Sequence, residues 1–382
     1  MRRFIFVMSI NILLTVALLL LSDFVITHST LLYLFVPDSF RIKDPNIRNT
    51  LAKNVATGSG EWGGRLYPFR TNSLGFRDQR VREVSIESDT RARVMVIGDS
   101  FTEGIGLPWQ DTFVGLFQAR FPDIEVLNAA AAGYSPSMYW KKTARLLSEH
   151  YKIDHLIIYI DISDIQDETL IRFDEAGNIH DNQFLVDPFA RVGDPAGTIQ
   201  IKLPPDAASS GAVGNLFGSN FRVSRYWGRA VFHFLGGVPA PRGTRGLVRS
   251  MWTVDGVKLP EGYGDLGVAG GIAKAVHAMD ELAEILRAGG ISFSVGVYPW
   301  PDQIEFDVVA SRQVLIWRSW CERNGCVKFI DHFPDFFAAK YSSDWREKFY
   351  MDGDVHFNET GNRLIAEKLI ATMSDVFATK NK

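Results

Sequence analysis

The stretch RVMVIGDSFTEGIG, residues Arg93–Gly106, decides how this chain folds. Its apolar run, Val94–Ile97, is typical of a strand that is buried on both faces of a parallel sheet. The run ends at Gly98, and Ser100 stands in the turn just beyond it. Because ligands bind at the carboxyl ends of the strands in open α/β sheets, this pattern places the Ser100 hydroxyl at a cleft. A Gly-Asp-Ser turn is also common outside active sites, so this stretch alone does not decide a function.

The rest of the chain alternates between strand-like and helix-like segments around that strand. Strands are predicted at 124–127, 155–160, 291–298 and 327–330, and helices at 112–121, 136–150, 269–288, 308–323 and 360–377. This alternation indicates a parallel sheet with helices packed on both of its faces. We therefore expect an α/β domain over residues 91–380.

Two segments depart from the alternation. Residues 165–262 hold many Gly, Pro, Asp and Ser and few clean strands. A long segment of this kind in a compact domain is usually functional or disordered, and we expect here an insertion that covers or flanks a site. Residues 41–90 are polar and of mixed charge, and they contain the turn-rich sequence TNSLGFRD, Thr71–Asp78. We expect this second segment to be a linker that becomes a docking segment for the domain.

Residues 1–40 predict a membrane anchor. Phe4–Leu21 is an uncharged stretch of 18 residues, which reaches the lower limit for a membrane-spanning helix. Arg2 and Arg3 precede it, so the N-terminus is expected in the cytoplasm and the rest of the chain in the periplasm or outside the cell. A second apolar run at 31–36 is too short to span and is expected at the interface or against the domain. The alternatives are a cleaved signal peptide, although no A-x-A site is evident after the apolar run, and a buried core helix.

The predicted location bears on the two cysteines of the chain. Cys321 and Cys326 lie in the segment WCERNGCVKFID, where Asn324 and Gly325 supply a turn between them. Such a turn brings two Cα atoms within disulfide range, so we expect a disulfide in an oxidising compartment. The alternative is two unrelated thiols, one on a helix end and one entering a strand.

The composition excludes several classes of protein. The 382 residues are 46% hydrophobic and 22% charged, which suffices for a sizeable core and excludes wholesale disorder. Lys and Arg total 41 against 44 Asp and Glu, so the basic excess of a nucleic-acid-binding surface is missing. The eight histidines show no metal-ligand spacing such as H-E-x-x-H, and two cysteines cannot form a four-cysteine zinc module. We expect neither a metal nor a nucleic-acid partner.

A second motif, MDGDVHFNETGN at Met351–Asn362, complements Ser100 chemically. His356 lies in a polar turn just before an amphipathic segment, with Asp352 and Asp354 close in sequence. A serine is a weak nucleophile without a base, and an imidazole acts as one near neutral pH. A carboxylate beside the imidazole fixes its tautomer and stabilises the imidazolium. The alternative is a surface histidine beside an ordinary helix cap.

Three motifs together resemble a known family. GDSFTEG at 98–104, NAAAAGYS at 128–135 and D-x-H-F-N-E-T-G-N at 354–362 look like the SGNH, or GDSL-type, hydrolases. The resemblance covers residues 71–377 apart from the predicted insertion, and it extends to bacterial members with an N-terminal membrane helix followed by N-S-L-G-F-R-D. It implies a flavodoxin-like three-layer α/β/α fold and acyl-ester chemistry by a serine nucleophile, with no metal or organic cofactor.

The resemblance also implies a role for individual residues. Ser100 matches the nucleophile, His356 matches the base, and Gly133 matches the glycine whose backbone N–H helps to bind the oxyanion. The family's acid usually stands three residues before the histidine, where this chain has a glycine. The D-x-H spacing of some relatives points instead to Asp354, with Asp352 as the fallback.

The fourth family motif is altered in this chain. Where the family has an oxyanion-binding asparagine in a G-x-N-D turn, the aligned segment is DISDIQDE, residues 161–168. Ser163 occupies the asparagine position, and its hydroxyl can donate one hydrogen bond to an oxyanion. Asp161 and Asp164 would oppose a negative charge nearby if they are ionised and face the cleft. We therefore expect the fold to be kept and esterase activity to be weaker, since loss of an oxyanion donor costs on the order of 10²–10³ in rate.

Three further residues receive ordinary structural interpretations. We expect Glu103 to be a solvated loop acid and His155 to be a structural residue at the start of a buried strand. Trp300 follows a predicted strand and is expected either in the core or at the rim of the cleft.

Two functions from different classes fit these observations. The first is a membrane-anchored serine esterase or O-acyltransferase that acts on a short acyl ester, for example acetyl on an envelope polysaccharide. The second is a non-catalytic binding or assembly module of the cell envelope, which the Ser163 replacement and the long insertion motivate.

Overall fold

In the computed structural model, which describes residues 2–181, 220–224, 226–227, 248–257 and 263–377, five parallel strands form a central sheet. The segment before it comprises α1 (Arg2–Thr27), α2 (Leu32–Phe35), β1 (Arg41–Asp44), β2 (Arg48–Leu51), β3 (Gly58–Trp62) and β4 (Arg65–Phe69). The sheet strands are β5 (Arg93–Ile97), β6 (Glu125–Asn128), β7 (His155–Ile160), β10 (Ser292–Val297) and β11 (Phe329–Asp331), with a small hairpin of β8 (Ile171–Phe173) and β9 (Ile179–Asp181) between β7 and β10.

The α-helices of the described part of the domain are arranged between and after these strands. They are α3 (Ser100–Glu103), α4 (Phe113–Arg120), α5 (Pro136–Ser148), α6 (Asp164–Leu170), α7 (Gly267–Ala288), α8 (Pro301–Phe306), α9 (Arg312–Asn324), α10 (Phe333–Ala339), α11 (Trp345–Phe349) and α12 (Glu359–Met373). α4 packs against α12, whereas α7 packs against α5, α6 and α9. The sheet thus lies between two helical layers, as the alternating pattern predicts.

The strand order is β6-β5-β7-β10-β11, with every neighbouring pair parallel. Counted along the chain, this is the doubly wound order 2-1-3-4-5 of flavodoxin-like folds. The predicted fold class is therefore confirmed. The chain reverses direction across the sheet between β5 and β7, so the carboxyl ends of these two strands form the topological switch point, where ligands bind in such folds.

The strands of the sheet are buried because their residues are apolar on both faces. All five residues of β5 and all six of β7 are buried. In the register between them Ile97 pairs with Ile158, so the segments that follow β5 and β7 leave the sheet side by side. This register brings the turn containing Ser100 next to the turn containing Asp161 and Ser163.

The segment over residues 41–90 packs on the domain instead of standing free in solvent. Its two antiparallel hairpins, β1–β2 and β3–β4, share a small apolar cluster in which Phe40 stacks on Phe69 with ring centroids 4.0 Å apart. Further on, the fully buried guanidinium of Arg77 donates hydrogen bonds to the carbonyls of residues 103, 104 and 107. These contacts tie the segment to the loop that follows Ser100.

Only part of the predicted insertion at 165–262 lies within the described residues. That part includes most of α6, the β8–β9 hairpin and a short 3₁₀ turn at Val248–Thr253. The backbone N–H groups of Val223 and Ser224 donate to the Asp23 carboxylate near the end of α1. The insertion therefore contacts the N-terminal helix; the rest of the predicted insertion lies outside the described residues.

The N-terminal helix α1 presents its apolar side chains on the surface of the protein. Among the described residues, it is the one helix long and apolar enough to cross a membrane, over Arg3–Thr27. Its length and composition suit an anchor and equally a signal sequence. After it, Leu32 and Val36 of the second apolar run are buried, so that run packs on the protein.

Cys321 and Cys326 form a disulfide, with their Cα atoms 5.1 Å apart. α9 ends at Gly325, whose φ of +70° lies in the left-handed region that glycine adopts without steric cost. The turn predicted between the two cysteines therefore reverses the chain, and the predicted pairing is confirmed.

Candidate active site

Ser100 begins α3 directly after the carboxyl end of β5. Asp99 caps this one-turn helix by accepting the backbone N–H of Phe101 at 3.0 Å, and Gly104 ends it with a φ of +82°. Asp99 thus shapes the turn, as side chains of this type do at helix starts. The arrangement leaves the Ser100 side chain partly exposed at the edge of the sheet.

His356 reaches Ser100 across 256 residues of chain. Its Nε2 lies 2.8 Å from Ser100 Oγ, and its Nδ1 lies 2.6 Å from Asp354 Oδ1. Ser100 Oγ also lies 3.3 Å from Asp99 Oδ2, but the single hydroxyl proton has its shorter contact with His356. Asp352, the fallback acid, is exposed to solvent. The structure therefore brings Ser100, His356 and Asp354 into one hydrogen-bonded array.

The acid of this array is held by a residue that the sequence analysis missed. Trp62, at the end of β3, donates its indole Nε1–H to Asp354 Oδ2 at 2.9 Å. Its ring also meets the His356 ring edge-on, with centroids 5.0 Å apart. Nothing in the sequence around Trp62 links it to residues 292 positions away, so no pattern could have identified it.

The Asp354 carboxyl is ionised at neutral pH in this setting. Burial alone would raise its pKa, but the neighbouring His356 imidazole and the hydrogen bonds from His356 and Trp62 outweigh burial and hold the pKa below its usual value. An ionised acceptor beside Nδ1 favours the tautomer in which Nδ1 carries the proton, and Nε2 is then free to accept the proton of Ser100.

Gly133 lies in a loop that two adjacent residues of β2 hold through hydrogen bonds. Its φ is +77°, and its carbonyl accepts a hydrogen bond from the Arg48 guanidinium of β2. The neighbouring carbonyl of Ala132 accepts the side-chain amide of Asn49 at 3.1 Å. In the part of the chain that the structure describes, the Gly133 N–H donates to no other protein group, so it is available to a ligand.

The prediction that Glu103 is a solvated loop acid is wrong. Its side chain is fully buried and accepts hydrogen bonds from Nη1 and Nη2 of the Arg41 guanidinium and, at 2.7 Å, from the backbone N–H of Ala132. The reason is that hairpin β1–β2 covers α3 and brings a basic partner to it, which no local pattern reveals. Glu103 thus connects the residue before Gly133 to the helix that starts with Ser100.

Ser163 lies at the switch point, but its hydroxyl is engaged. Both its hydroxyl and its backbone N–H donate to Asp161 Oδ1. Asp161 Oδ2 accepts the indole Nε1–H of Trp300 at 2.7 Å, and Trp300 is buried. The Ser163 hydroxyl would therefore have to rotate away from Asp161 before it could donate to an oxyanion.

His155 lies at the opposite end of β7 from this site. Its two ring nitrogens lie 2.7 and 3.0 Å from the hydroxyl groups of Ser292 and Ser294. Burial lowers its pKa to about 4, so the ring is neutral at physiological pH. The structural role expected for His155 agrees with this placement.

No protein-family model matches the chain, and no relative was found among curated proteins. Among solved structures, the chain is similar to a member of the lipolytic protein G-D-S-L family from Veillonella parvula, with 12% identity and a TM-score of 0.38 over 75% of this chain and 97% of that one. It is also similar to the psychrotrophic esterase EstA from Pseudoalteromonas sp., with 11% identity and a TM-score of 0.37 over 75% and 100% of the two chains.

A third similar structure is that of a catalytic mutant of Axe2, an acetylxylan esterase from Geobacillus stearothermophilus. Identity is 11% and the TM-score is 0.39, over 75% of this chain and 95% of that one.

Glu103→Gln is expected to loosen the loop around Gly133. The substitution removes a buried charge that accepts three hydrogen bonds, which weakens the attachment of Ala132 by roughly 1–3 kcal/mol. Backbone amides of residues 131–134 should then exchange with deuterium roughly 10-fold faster, as measured by hydrogen-exchange mass spectrometry. Asp44→Asn is the matched control, because Asp44 holds the same hairpin through a bidentate pair with Arg145 on α5. Equal acceleration in both variants would contradict a specific role of Glu103.

Proposed function

We propose that this protein is a membrane-anchored serine ester hydrolase or O-acyltransferase that acts outside the cytoplasm on short acyl esters, such as acetyl groups on an envelope glycan. The observation that supports it most directly is the uninterrupted array from the Ser100 hydroxyl through His356 to Asp354, with contacts of 2.8 and 2.6 Å. A hydroxyl in this setting can lose its proton to the imidazole as it attacks a carbonyl.

In the first half of the reaction, Ser100 Oγ attacks the ester carbonyl carbon while His356 Nε2 takes the hydroxyl proton. The carbonyl oxygen becomes an oxyanion, and the backbone N–H groups of Ser100 and Gly133 are the proposed donors to it. The tetrahedral intermediate then collapses. His356 gives its proton to the leaving alcohol oxygen, and the acyl group stays on Ser100 as an ester.

In the second half, an acceptor hydroxyl attacks the acyl-serine. His356 takes the acceptor's proton and returns it to Ser100 Oγ as the serine leaves. When water is the acceptor the product is a free acid, and when a sugar hydroxyl is the acceptor the acyl group is transferred. No metal or organic cofactor enters these steps.

Asp354 and Trp62 support this cycle without touching the substrate. Asp354 holds the imidazole by Nδ1 and stabilises the imidazolium that forms in each half-reaction. Trp62 occupies the other carboxylate oxygen, which fixes the orientation of Asp354 and therefore that of His356. Phe101 packs against the ring at a centroid distance of 4.4 Å and restricts its rotation further.

The second candidate function is a non-catalytic binding or assembly module of the cell envelope. One observation favours it: the Ser163 hydroxyl donates to Asp161, so the side-chain donor that replaces the family's asparagine is turned away from an oxyanion. This candidate predicts binding of a glycan or a protein that survives loss of Ser100, with no ester turnover.

Ser100→Ala is expected to abolish labelling by a fluorophosphonate probe and hydrolysis of short-chain nitrophenyl esters. The reason is that the probe reacts with an activated serine hydroxyl, which this variant lacks. Labelling is measured by in-gel fluorescence of the full-length protein, and turnover by release of nitrophenol. Equal labelling of both proteins, or none of the wild type, would favour the non-catalytic candidate.

The pair Asp354→Asn and Asp352→Asn separates the two candidate acids. Asp354→Asn should reduce kcat by roughly 10⁴-fold, because an amide can leave the imidazole in the wrong tautomer. Asp352→Asn should change kcat less than 2-fold, since that side chain is exposed and away from the array. The steady-state kinetics of nitrophenyl acetate hydrolysis measure both effects. A larger loss in Asp352→Asn would reverse the assignment.

The proposed location rests on α1 and on the disulfide. Arg2 and Arg3 precede the apolar helix, which favours an N-terminus in the cytoplasm and the remaining chain outside it. A disulfide between Cys321 and Cys326 is the form expected in an oxidising compartment.

The full-length protein is therefore expected to stay in the membrane pellet after extraction with alkaline carbonate. An apolar helix that spans the bilayer resists this treatment, whereas a peripheral protein is released. Immunoblotting of pellet and supernatant measures the outcome, and the intact mass of the purified chain serves as a control for cleavage. A soluble product shortened by about 25 residues, roughly the length of a signal peptide, would show that α1 is a cleaved signal sequence instead.

A further inference from the structure

Three buried carboxylates converge at the switch point of the sheet, beside the Ser100 turn. Asp99 follows β5, Asp161 follows β7, and Asp164 begins α6. The three residues are at most 4% exposed. One oxygen from each carboxylate lies within 4.8 Å of one oxygen from each of the other two. None of the three has a place in the proton transfers proposed above.

The hydrogen bonds of the three carboxylates leave one oxygen without a partner. Asp99 Oδ1 accepts the Tyr298 hydroxyl at 3.0 Å, and Asp99 Oδ2 lies 3.3 Å from Ser100 Oγ. Both oxygens of Asp161 have N–H or O–H donors. Asp164 Oδ2 accepts the Tyr139 hydroxyl at 2.8 Å. Asp164 Oδ1, although fully buried, has no hydrogen-bond partner among the described residues. Leaving a buried carboxylate oxygen without a donor is costly, so this atom points to a ligand.

The charges of the cluster are also uncompensated. In the part of the chain that the structure describes, none of the three carboxylates forms an ion pair with a basic side chain. The nearby Arg249 guanidinium pairs with Asp167 at 2.6 Å. Its positive charge also lowers the pKa of Asp161, but the two side chains form no ion pair. Burial raises the pKa values of all three carboxyls. For Asp99 and Asp164, the negative charge of Asp161 raises the pKa further. Three buried negative charges at this spacing require either protons or a cation.

We propose that Asp99, Asp161 and Asp164 bind one hard divalent cation, and Ca²⁺ is the cation used to test it. Carboxylate oxygens are the ligands that such cations prefer. Two oxygens bound to the same Ca²⁺ at about 2.4 Å are at most about 4.8 Å apart, which the spacing of the cluster satisfies. A divalent cation would offset two of the three negative charges, and the Arg249 guanidinium stays with Asp167.

The surrounding donors suit such a site. Tyr298, Trp300 and Tyr139 each donate to an oxygen of one of the three carboxylates. Donors of this kind commonly orient carboxylates that bind metals. Oδ1 of Asp164 supplies a lone pair that no donor among the described residues uses.

The cation would hold together the two segments that leave β5 and β7. Asp99 caps the helix that starts with Ser100, and Asp161 accepts both donors of Ser163. The site therefore stabilises the geometry of the Ser100 turn without touching a substrate. It does not depend on the proposed esterase activity, because the carboxylates, their burial and their spacing are the same in a non-catalytic protein.

The metal content and thermal stability of the full-length protein in detergent test this site. Elemental analysis after dialysis against Ca²⁺ should give about one ion per chain. EDTA should lower Tm by roughly 5–10 °C, and added Ca²⁺ should restore it, because a ligand that binds only the folded state stabilises it. Mg²⁺ and Mn²⁺, added in parallel, report the size preference.

Asp164→Asn distinguishes a bound cation from protons shared among the three carboxylates, because the two cases predict different changes in Tm. With a cation, this variant loses the ion and the EDTA response, and its Tm in Ca²⁺ falls below that of the wild type. With protons alone, the substitution relieves repulsion, so Tm stays equal or rises. Asp302→Asn is the matched control, because Asp302 is also buried with a raised pKa but pairs with Arg346 away from the cluster. It should retain the ion.

Absence of stoichiometric metal, no EDTA effect and an unchanged or raised Tm in Asp164→Asn would overturn the proposal. Fluorophosphonate labelling of Ser100, measured on the same samples, separates this outcome from the fate of the proposed function. Labelling without metal rejects the cation site alone, and metal without labelling rejects the esterase alone.

Discussion

The contact between the Ser100 hydroxyl and the His356 imidazole is the interaction on which the rest of this site depends. It joins two segments 256 residues apart, and it forms because both reach the carboxyl edge of the sheet. Ser100 arrives there as the first residue after the β5 turn, and His356 arrives from the loop that precedes α12. A doubly wound sheet makes this contact possible. The strand order reverses between β5 and β7, and this switch point leaves an open crevice outside the carboxyl ends of the two strands.

The segment between the N-terminal helix and the sheet is part of the site. Arg41 and Arg48 of the first hairpin hold Glu103 and the Gly133 carbonyl, and Trp62 of the second hairpin holds Asp354. Each of these bonds is worth little by itself, but a buried charge left without its partner costs roughly 3–5 kcal/mol. The geometry around Ser100 and His356 therefore depends on residues 41–62, which precede the sheet in sequence.

The acidic residues at the switch point disfavour the oxyanion that the proposed reaction would form there. An oxyanion needs donors, whereas Asp161 and its neighbours bring acceptors and draw the Ser163 hydroxyl toward themselves. A cation among the three carboxylates would remove this conflict, because it neutralises charge beside the place where a negative charge develops. The same turn would then serve both the position of Ser100 and the electrostatics around it.

By itself, the sequence determined the parallel sheet and the positions of Ser100 and His356 at strand and helix ends, and it favoured a disulfide between the two cysteines. These features follow from local patterns: apolar runs of strand length, turn residues, and short spacings along the chain. It left the acid open between Asp352 and Asp354, and it misjudged Glu103 as solvated. Only the tertiary structure decided the contacts of Trp62, Arg41 and Glu103, because burial and ion pairing depend on which distant segment covers a side chain, and the spacing of residues along a chain does not encode that.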